Sequence, residues 1–422
     1  DGMINLKSWD WESSEKMIPF ADWQGNFEWV EEPYASPDGE KIAAIVNVAE
    51  GEFNVCVNGE SWENTFDKIW YLRFAPDGRL TAIVSEMGEW TVAVDGAAWE
   101  NKFGYAWNTL FSHDGRHIAV AVQQDMAYAM AVDDEPWGQT YGNMTNPTLS
   151  ADGTKTAATV QVESFAEGEI YKFQEGAFTV ALNGNAWETK FVNVWKMAIS
   201  PDGEKLAAEV RLNLYDYTIA VNGHAWQKTF DCVWEPIFNP RSNSVLAPVR
   251  TGGAWTLAED GNLIWDRRFG QLWHPVFSPD GSKLAAIVSP KYGKWTVAVD
   301  GQPWSVMFKD LVTDAVFSPD GKRVAALAKE GQKWLMAVDG SAWKNTFDMA
   351  FRPVFSPNGE YLAARVEKNG NYTIALNDRL WSRQCEAAWD PVFSPEGDKI
   401  LLRTVEDGIY YRRVLPVAEL IG

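Results

Sequence analysis

The chain has 422 residues, 46% of them hydrophobic, and carries 37 Lys/Arg against 58 Asp/Glu, a formal net charge of −21. That charge opposes binding to nucleic-acid phosphates and docking on anionic lipid. No apolar run approaches the ~18–20 residues of a membrane-spanning helix. Three cysteines without a CxxC pair (Cys56, Cys232 and Cys385) signal neither a disulfide framework nor a thiolate metal site.

Free thiols fit a reducing compartment, so a cytoplasmic location is expected. The opening Asp1-Gly2-Met3-Ile4-Asn5-Leu6-Lys7 lacks the basic and apolar stretches of a signal peptide. A leader already removed would leave the same start.

Leu6-Lys7-Ser8-Trp9-Asp10-Trp11-Glu12 lies outside any repeat, in an N-terminal segment of residues 1–22. From Trp23 onward, through residue 422, a tryptophan returns about every 39 residues: Trp23, Trp62, Trp99, Trp137, Trp187, Trp226, Trp265, Trp304, Trp343 and Trp381. A fixed period of this length marks a repeat architecture.

One unit reads from Trp70-Tyr71-Leu72-Arg73-Phe74 through Ala75-Pro76-Asp77-Gly78 to Leu80-Thr81-Ala82-Ile83-Val84. Trp90-Thr91-Val92-Ala93-Val94, Asp95-Gly96 and Ala97-Ala98-Trp99 follow. Short β-branched and aromatic runs bounded by Asp-Gly turns predict four antiparallel strands in hairpin order. The Pro-Asp-Gly turn or a variant recurs ten times, most degraded at Asn239-Pro240-Arg241-Ser242. That sixth copy also carries Pro248 inside its second strand. Phe-Ser-Pro-Asp-Gly followed by a Leu-Ala-Ala strand resembles the TolB-like repeats of the WD40 superfamily. The expected fold is therefore an all-β β-propeller of about ten four-stranded blades. A single ring is preferred to two five-bladed rings, because the 39-residue period runs without a linker. A fourth-strand motif around Trp23 with no first strand before it predicts that the N-terminal strand completes the last blade. Such completion removes an open edge.

The repeat sorts the aromatics into three series. The first is the 39-residue tryptophan, usually followed four residues later by Phe or Tyr. The second opens strand one: Trp70, Trp107, Trp195, Trp234, Trp273 and Trp389, with Phe351 as a substitute. The third opens strand three: Trp90, Trp255, Trp295 and Trp334, with Phe53, Tyr128, Phe178, Tyr217 and Tyr372 in the same place. A position filled in every blade reads as packing between sheets, whereas the second series also stands at one end of the blades and is a candidate contact surface.

Residues that break the rhythm are the other candidates. The gap of 50 between Trp137 and Trp187 holds an insertion at 163–176 with Phe165, Tyr171 and Phe173. It falls between strands two and three, at the same end as the second series, and loops of this kind carry function. Trp9, Trp11 and Trp29 lie outside all three series.

Catalytic signals are sparse. Four histidines (His113, His117, His224 and His274) show no metal-ligand spacing, and no GxSxG, HExxH or P-loop is present. No catalytic, cofactor-binding or metal-binding residue is expected, and the protein reads as non-enzymatic. A propeller enzyme of quinoprotein type and a general interaction propeller remain the alternatives.

Leu6-Lys7-Ser8-Trp9-Asp10-Trp11-Glu12, Phe27-Glu28-Trp29-Val30-Glu31-Glu32-Pro33, Asp67-Lys68-Ile69-Trp70-Tyr71-Leu72-Arg73-Phe74 and Leu214-Tyr215-Asp216-Tyr217-Thr218-Ile219-Ala220-Val221 resemble the tryptophan-rich subunit of the Tmc transmembrane redox complex of sulfate-reducing bacteria. The resemblance implies an accessory subunit of electron transport in sulfate respiration, without a cofactor of its own. It would lie on the cytoplasmic face of the inner membrane, held there through partners. Those partners would be a cytoplasmic iron–sulfur subunit and a membrane haem subunit.

Overall fold

The computed structural model describes residues 4–422. The ten repeats form ten antiparallel sheets, nine of them four-stranded meanders in chain order, with strand one split in two in blades 1, 6 and 9, and the tenth completed out of order by an N-terminal strand. The protein is thus all-β and built of blades of the β-propeller type. Blade 2 is representative, with strands Lys68–Phe74, Leu80–Glu86, Glu89–Val94 and Ala97–Ala98. Strands two and three bury nearly every residue, while strand one alternates. A sheet packed on both faces in its middle and open at one edge gives that pattern.

Cα packing groups the blades into two units. One comprises Ala49–Asn54 and Trp62–Asp266, and contains blades 2 to 6. There, Ile83 and Val92 of blade 2 meet Ile118 and Val120 of blade 3. Ala157 and Val180 meet Leu206 and Val210 of blade 5 in the same way. The other unit comprises Asn5–Val48, Val55–Ser61 and Arg267–Gly422. Within it, Ala285, Ile287 and Val297 pack on Val324, Ala326 and Leu335.

Two kinds of turn hold each blade in register. In the first, Ser36 Oγ donates to Asp38 Oδ1 at 2.7 Å and accepts the Lys41 N–H at 3.0 Å. The same Ser–Asp lock recurs at Ser112, Ser150, Ser200, Ser278 and Ser318. The serine is buried each time. Its hydroxyl and nearby backbone N–H groups hold the Asp114, Asp152, Asp202 and Asp320 carboxyls below their ordinary range. In the second turn, an Asp or Asn at positive φ accepts the first N–H of strand two. Examples are Leu80 on Asp95 and Ile42 on Asn58, at 2.9 and 2.8 Å. Asx residues tolerate the left-handed region and supply a local acceptor. Gly96 completes such a turn, where a Cβ would come within 2.9 Å of Trp62 Cγ. The periodic tryptophan of one blade therefore packs over the turn of the next.

Blade 10 has strands Lys399–Glu406 and Ile409–Pro416, preceded by the short pieces Ala387–Ala388 and Val392–Phe393. Its outer strand comes from the N-terminal segment: Ser14–Ile18 pairs antiparallel with Ile409–Pro416, from Ser14 opposite Val414 to Ile18 opposite Tyr410. The completing strand thus lies upstream of Trp23. Trp23 instead sits in a short 3-10 helix, Phe20–Gly25, buried against Val46, Cys56 and Tyr410. The Ala21 N–H donates to Gly408 O at 2.8 Å, so the chain turns inward there rather than continuing as a strand. In blade 6, Pro248 lies within Val245–Thr251 opposite Leu257, and strand one breaks into Cys232–Val233 and Ile237–Phe238 beside it. Strand one is split in the same way in blades 1, 9 and 10, and each split strand, that of blade 6 included, carries its own proline (Pro33, Pro236, Pro353 and Pro391), which removes a ladder donor there.

Candidate interaction surface

The aromatics that open strand one meet those of strand three inside blades 2, 3, 5, 6, 7, 9 and 10. Trp70 lies 4.5 Å from Trp90, Trp107 5.9 Å from Tyr128 and Trp195 5.9 Å from Tyr217. Trp234 stacks on Trp255 at 5.2 Å, Trp273 lies tilted against Trp295 at 4.6 Å, and Trp389 meets Tyr410 edge-on at 6.1 Å. Strand one starts beside the end of strand two, so its first aromatic and the first of strand three share one end of the sheet. The third series also pairs backbone to backbone with the aromatic four residues past the periodic tryptophan, as in Trp90 with Phe103. Where both rings are present they clasp one end of the blade, and such pairs add about 0.5–1.5 kcal/mol beyond area burial.

Burial then separates the candidates. Trp70, at 42% exposed, and Trp234 present open ring surface, whereas Trp107, Trp195, Trp273 and Trp389 are half-buried. Between blades 2 and 3 the clasp becomes continuous, because Tyr105 bridges Trp90 at 5.8 Å and Trp107 at 5.6 Å. Tyr71 follows Trp70 at a bulge, exposed and at φ +53°. Asn108 and Asn146 occupy the corresponding bulges of blades 3 and 4. An exposed aromatic in the left-handed region has no packing reason.

The insertion of blade 4 forms a 3-10 helix, Glu167–Glu175. Phe173 packs 5.5 Å from Phe178 and Phe165 6.4 Å from Phe173, so these two anchor the loop. Tyr171 points to solvent together with Ile170, which the aromatic criterion passed over. Met87, Met126, Leu214 and Tyr215, which the sequence periodicity does not single out as contact residues, are exposed at the corresponding hairpins of blades 2, 3 and 5. The signal was present as apolar residues at turn tips, where Gly, Asn and Asp are the rule.

In the other unit, Trp9 and Trp11 stack at 6.1 Å, and Trp11 Nε1 donates to Leu6 O at 2.7 Å. Lys399 Nζ donates to Trp11 O at 2.8 Å, tying the segment to blade 10. Trp29 lies in the first strand of blade 1 opposite Asn47, with its ring exposed.

Two buried polar clusters accompany this frame. Glu209, in strand two of blade 5, accepts the Lys196 backbone N–H. Burial, then the nearby Glu235 carboxylate, pushes its pKa up to about 7 against the opposing effect of Lys196. Arg413 of blade 10, fully buried, pairs with Glu406 and with Glu15 at 2.8 Å. Burial works against the Glu406 charge, but the Arg413 and Thr404 hydrogen bonds outweigh it and hold the carboxyl below its ordinary range. Burial also pushes the Cys56 and Cys385 thiols up to about 11 and about 12, which keeps them protonated. Among the described residues no group of three or more His, Cys, Asp or Glu lies close enough to hold a metal ion. An open cavity of about 420 Å³ beside Trp99 is lined by Arg79, Arg116 and Asp134. Arg79 there already pairs with Asp77, and Asp134 with Glu100 and Asn101. No helix among the described residues is long and apolar enough to cross a membrane.

No family model matches this chain, and no curated protein sequence matches it. Among solved structures it is similar to a eukaryotic initiation factor, at 14% identity and a TM-score of 0.44, over 90% of this chain and 92% of that one. A likeness of that size carries nothing about function.

Proposed function

We propose that this chain is a non-catalytic interaction subunit that presents one end of its blades to a partner protein. The observation that carries this reading is the set of exposed apolar side chains gathered at that end in blades 2 to 5. Trp70, Tyr71 and Tyr105 expose ring surface beside solvent-facing methionine, isoleucine, leucine and tyrosine at the hairpin tips. Exposed apolar patches of this kind mark binding surfaces. Aromatic and methionine side chains are also enriched in interface cores.

The finer form of the reading rests on the resemblance to the tryptophan-rich Tmc subunit. In it, the partner is a cytoplasmic iron–sulfur subunit, and a membrane haem subunit holds the assembly at the inner membrane. The chain then supplies position and stability to an electron path while the redox centres belong to its partners. Native co-purification with subunit identification tests both levels. Recovery with iron–sulfur and haem subunits supports the redox assignment, and recovery with an unrelated protein supports the interaction role alone. A purified chain with visible absorbance or a bound cofactor in mass spectrometry would overturn the non-catalytic reading in favour of a quinoprotein-type enzyme.

A further inference from the structure

We propose that the hairpin end of blades 2 to 5 binds a basic amphipathic helix that carries both Lys or Arg and an apolar face. This deepens the interaction role proposed above and rests on it.

The tips carry Met87, Met126, Ile170, Tyr171, Leu214 and Tyr215, with Met87 90%, Met126 77% and Tyr215 80% exposed. Every exposed large apolar side chain of these four blades lies either at those tips or in the first half of strand one. The opposite end is made of Ser–Asp and Asx turns whose polar groups bond internally. The two ends of one unit thus differ in kind. Methionine adapts its shape to varied apolar partners, and tyrosine supplies rigid contact area at low conformational cost.

Charge selects the partner. Hairpins 85–89, 124–127, 161–177 and 211–217 hold eight carboxylates and two cations. Both cations are engaged locally: Lys172 pairs with Glu169 at 2.7 Å, and Arg211 donates to the carbonyls of Asn213 and Leu214. Glu86, Glu89 and Asp125 stand exposed beside the methionines. Glu163 is paired with Lys190 at 2.7 Å, but the carboxylates still outnumber the cations, and an apolar surface in that net negative field repels nucleic acid, anionic lipid and a second copy of a chain at −21. It complements a cationic segment that also carries apolar side chains, a recurring mode in which a helix lays its apolar face on a methionine-rich surface. The rings here already take cations on their faces. Lys68 Nζ lies 6.0 Å from the Trp70 centroid and 5.9 Å from that of Trp90. A partner's Lys or Arg finds the same quadrupole.

The test titrates the full chain with a model helical peptide of Leu and Lys at amphipathic spacing and follows tryptophan fluorescence. The expected result is saturable binding that weakens with salt. Affinity should fall about tenfold or more in the triple variant M87S/M126S/Y215S, and the Leu/Glu counterpart should not bind. Equal binding by wild type and triple variant, or by the two peptides, overturns the proposal. So does adsorption to anionic vesicles, or a dimer in sedimentation that the triple variant abolishes. Native co-purification of wild type and variant separates this failure from failure of the interaction role. A wild-type chain isolated alone sinks the role. A partner retained equally by both sinks only this face.

Discussion

The Asp134 carboxylate accepts the backbone N–H of Asn101 at 3.0 Å and its side-chain amide at 3.1 Å, joining the outer strand of blade 2 to a hairpin of blade 3. The Glu100 N–H reaches the other oxygen at 2.8 Å. Asp378 holds Lys344 and Asn345 in the same way. Both aspartates stand at positive φ, where most other hairpins have glycine. The hydrogen bonds offset that backbone cost, and they explain why a side chain is kept there. Asp134→Ala should lower stability by about 2–3 kcal/mol, combining lost bonds to charge with strain. Asp134→Gly should cost roughly half as much, since glycine relieves the strain. Urea midpoints decide, and equal losses would mean that φ contributes nothing.

Glu209 links stability to pH. Its folded value lies near 7, above an ordinary value of 4.5. The folded state therefore binds the extra proton between those values, and stability falls as pH rises through that window. Glu209→Gln should remove this fall, leaving the variant more stable than wild type above about pH 7 by roughly 1–3 kcal/mol. Denaturation at about pH 5 and about pH 8 should give a variant-minus-wild-type stability difference that grows with pH. A difference independent of pH would mean that Glu209 is already ionised in the fold.

Arg413 works in the opposite sense. Removing its charge leaves Glu406 in a mostly buried position facing Cys385. Arg413→Leu should cost roughly 3–5 kcal/mol near neutral pH. Because the Glu406 carboxyl is held below its ordinary 4.5, the pair's contribution is present above that value and is lost as pH falls through the folded one. The variant's deficit should therefore shrink in acid. A deficit unchanged with pH would assign Arg413 to packing against Tyr411, whose ring lies 4.0 Å away.

The tryptophan series differ in what they support. Trp99 is buried among Ile118, Val120 and Phe103, so Trp99→Ala should cost about 3–5 kcal/mol. Trp70→Ala removes a partly exposed ring with one close aromatic contact and should cost about 1 kcal/mol. Excising residues 164–175 should leave the melting temperature nearly unchanged, because the loop touches its blade mainly through Phe173 on Phe178. A large drop would show that the insertion is part of the core.

The repeat was legible because each blade repeats its own local chemistry. Period-two apolar strands and Asp-Gly turns announce hairpins, and ten copies announce blades. The packing role of the periodic tryptophans followed from their being present in every copy. The strand completing blade 10 did not, since Ser14-Glu15-Lys16-Met17-Ile18 has no repeat signature and is fixed by partners some 400 residues away, such as Tyr411 opposite Met17. Met87 and Tyr215 escaped for another reason. A lone apolar residue at a turn looks like noise until the fold stacks several such turns at one end. The buried serine of the Ser–Asp lock is visible in most copies, with Ala75 and Asn239 as the exceptions, but its role needs the geometry of Ser36 Oγ between a carboxylate and an N–H.

The strand-pinning hairpins also bear on how the molecule ages. Asn58, Asn183 and Asn222 each precede a glycine, the sequence in which a side-chain amide is lost most readily by cyclisation. Each pins strand two through Oδ1, an atom that survives when the amide becomes a carboxylate. Asp95, Asp300 and Asp339 already do that work in other blades. The Nδ2 donor to a carbonyl does not survive: Asn58 would release Glu40 O and Asn222 would release Glu204 O, at 3.0 and 3.1 Å. Asp339 instead holds Arg323 at 2.9 Å across the same turn. The cyclic imide opens mainly to isoaspartate, whose extra backbone methylene would break the turn, and only the minor aspartyl product would match Asp95, Asp300 and Asp339 of the sister blades.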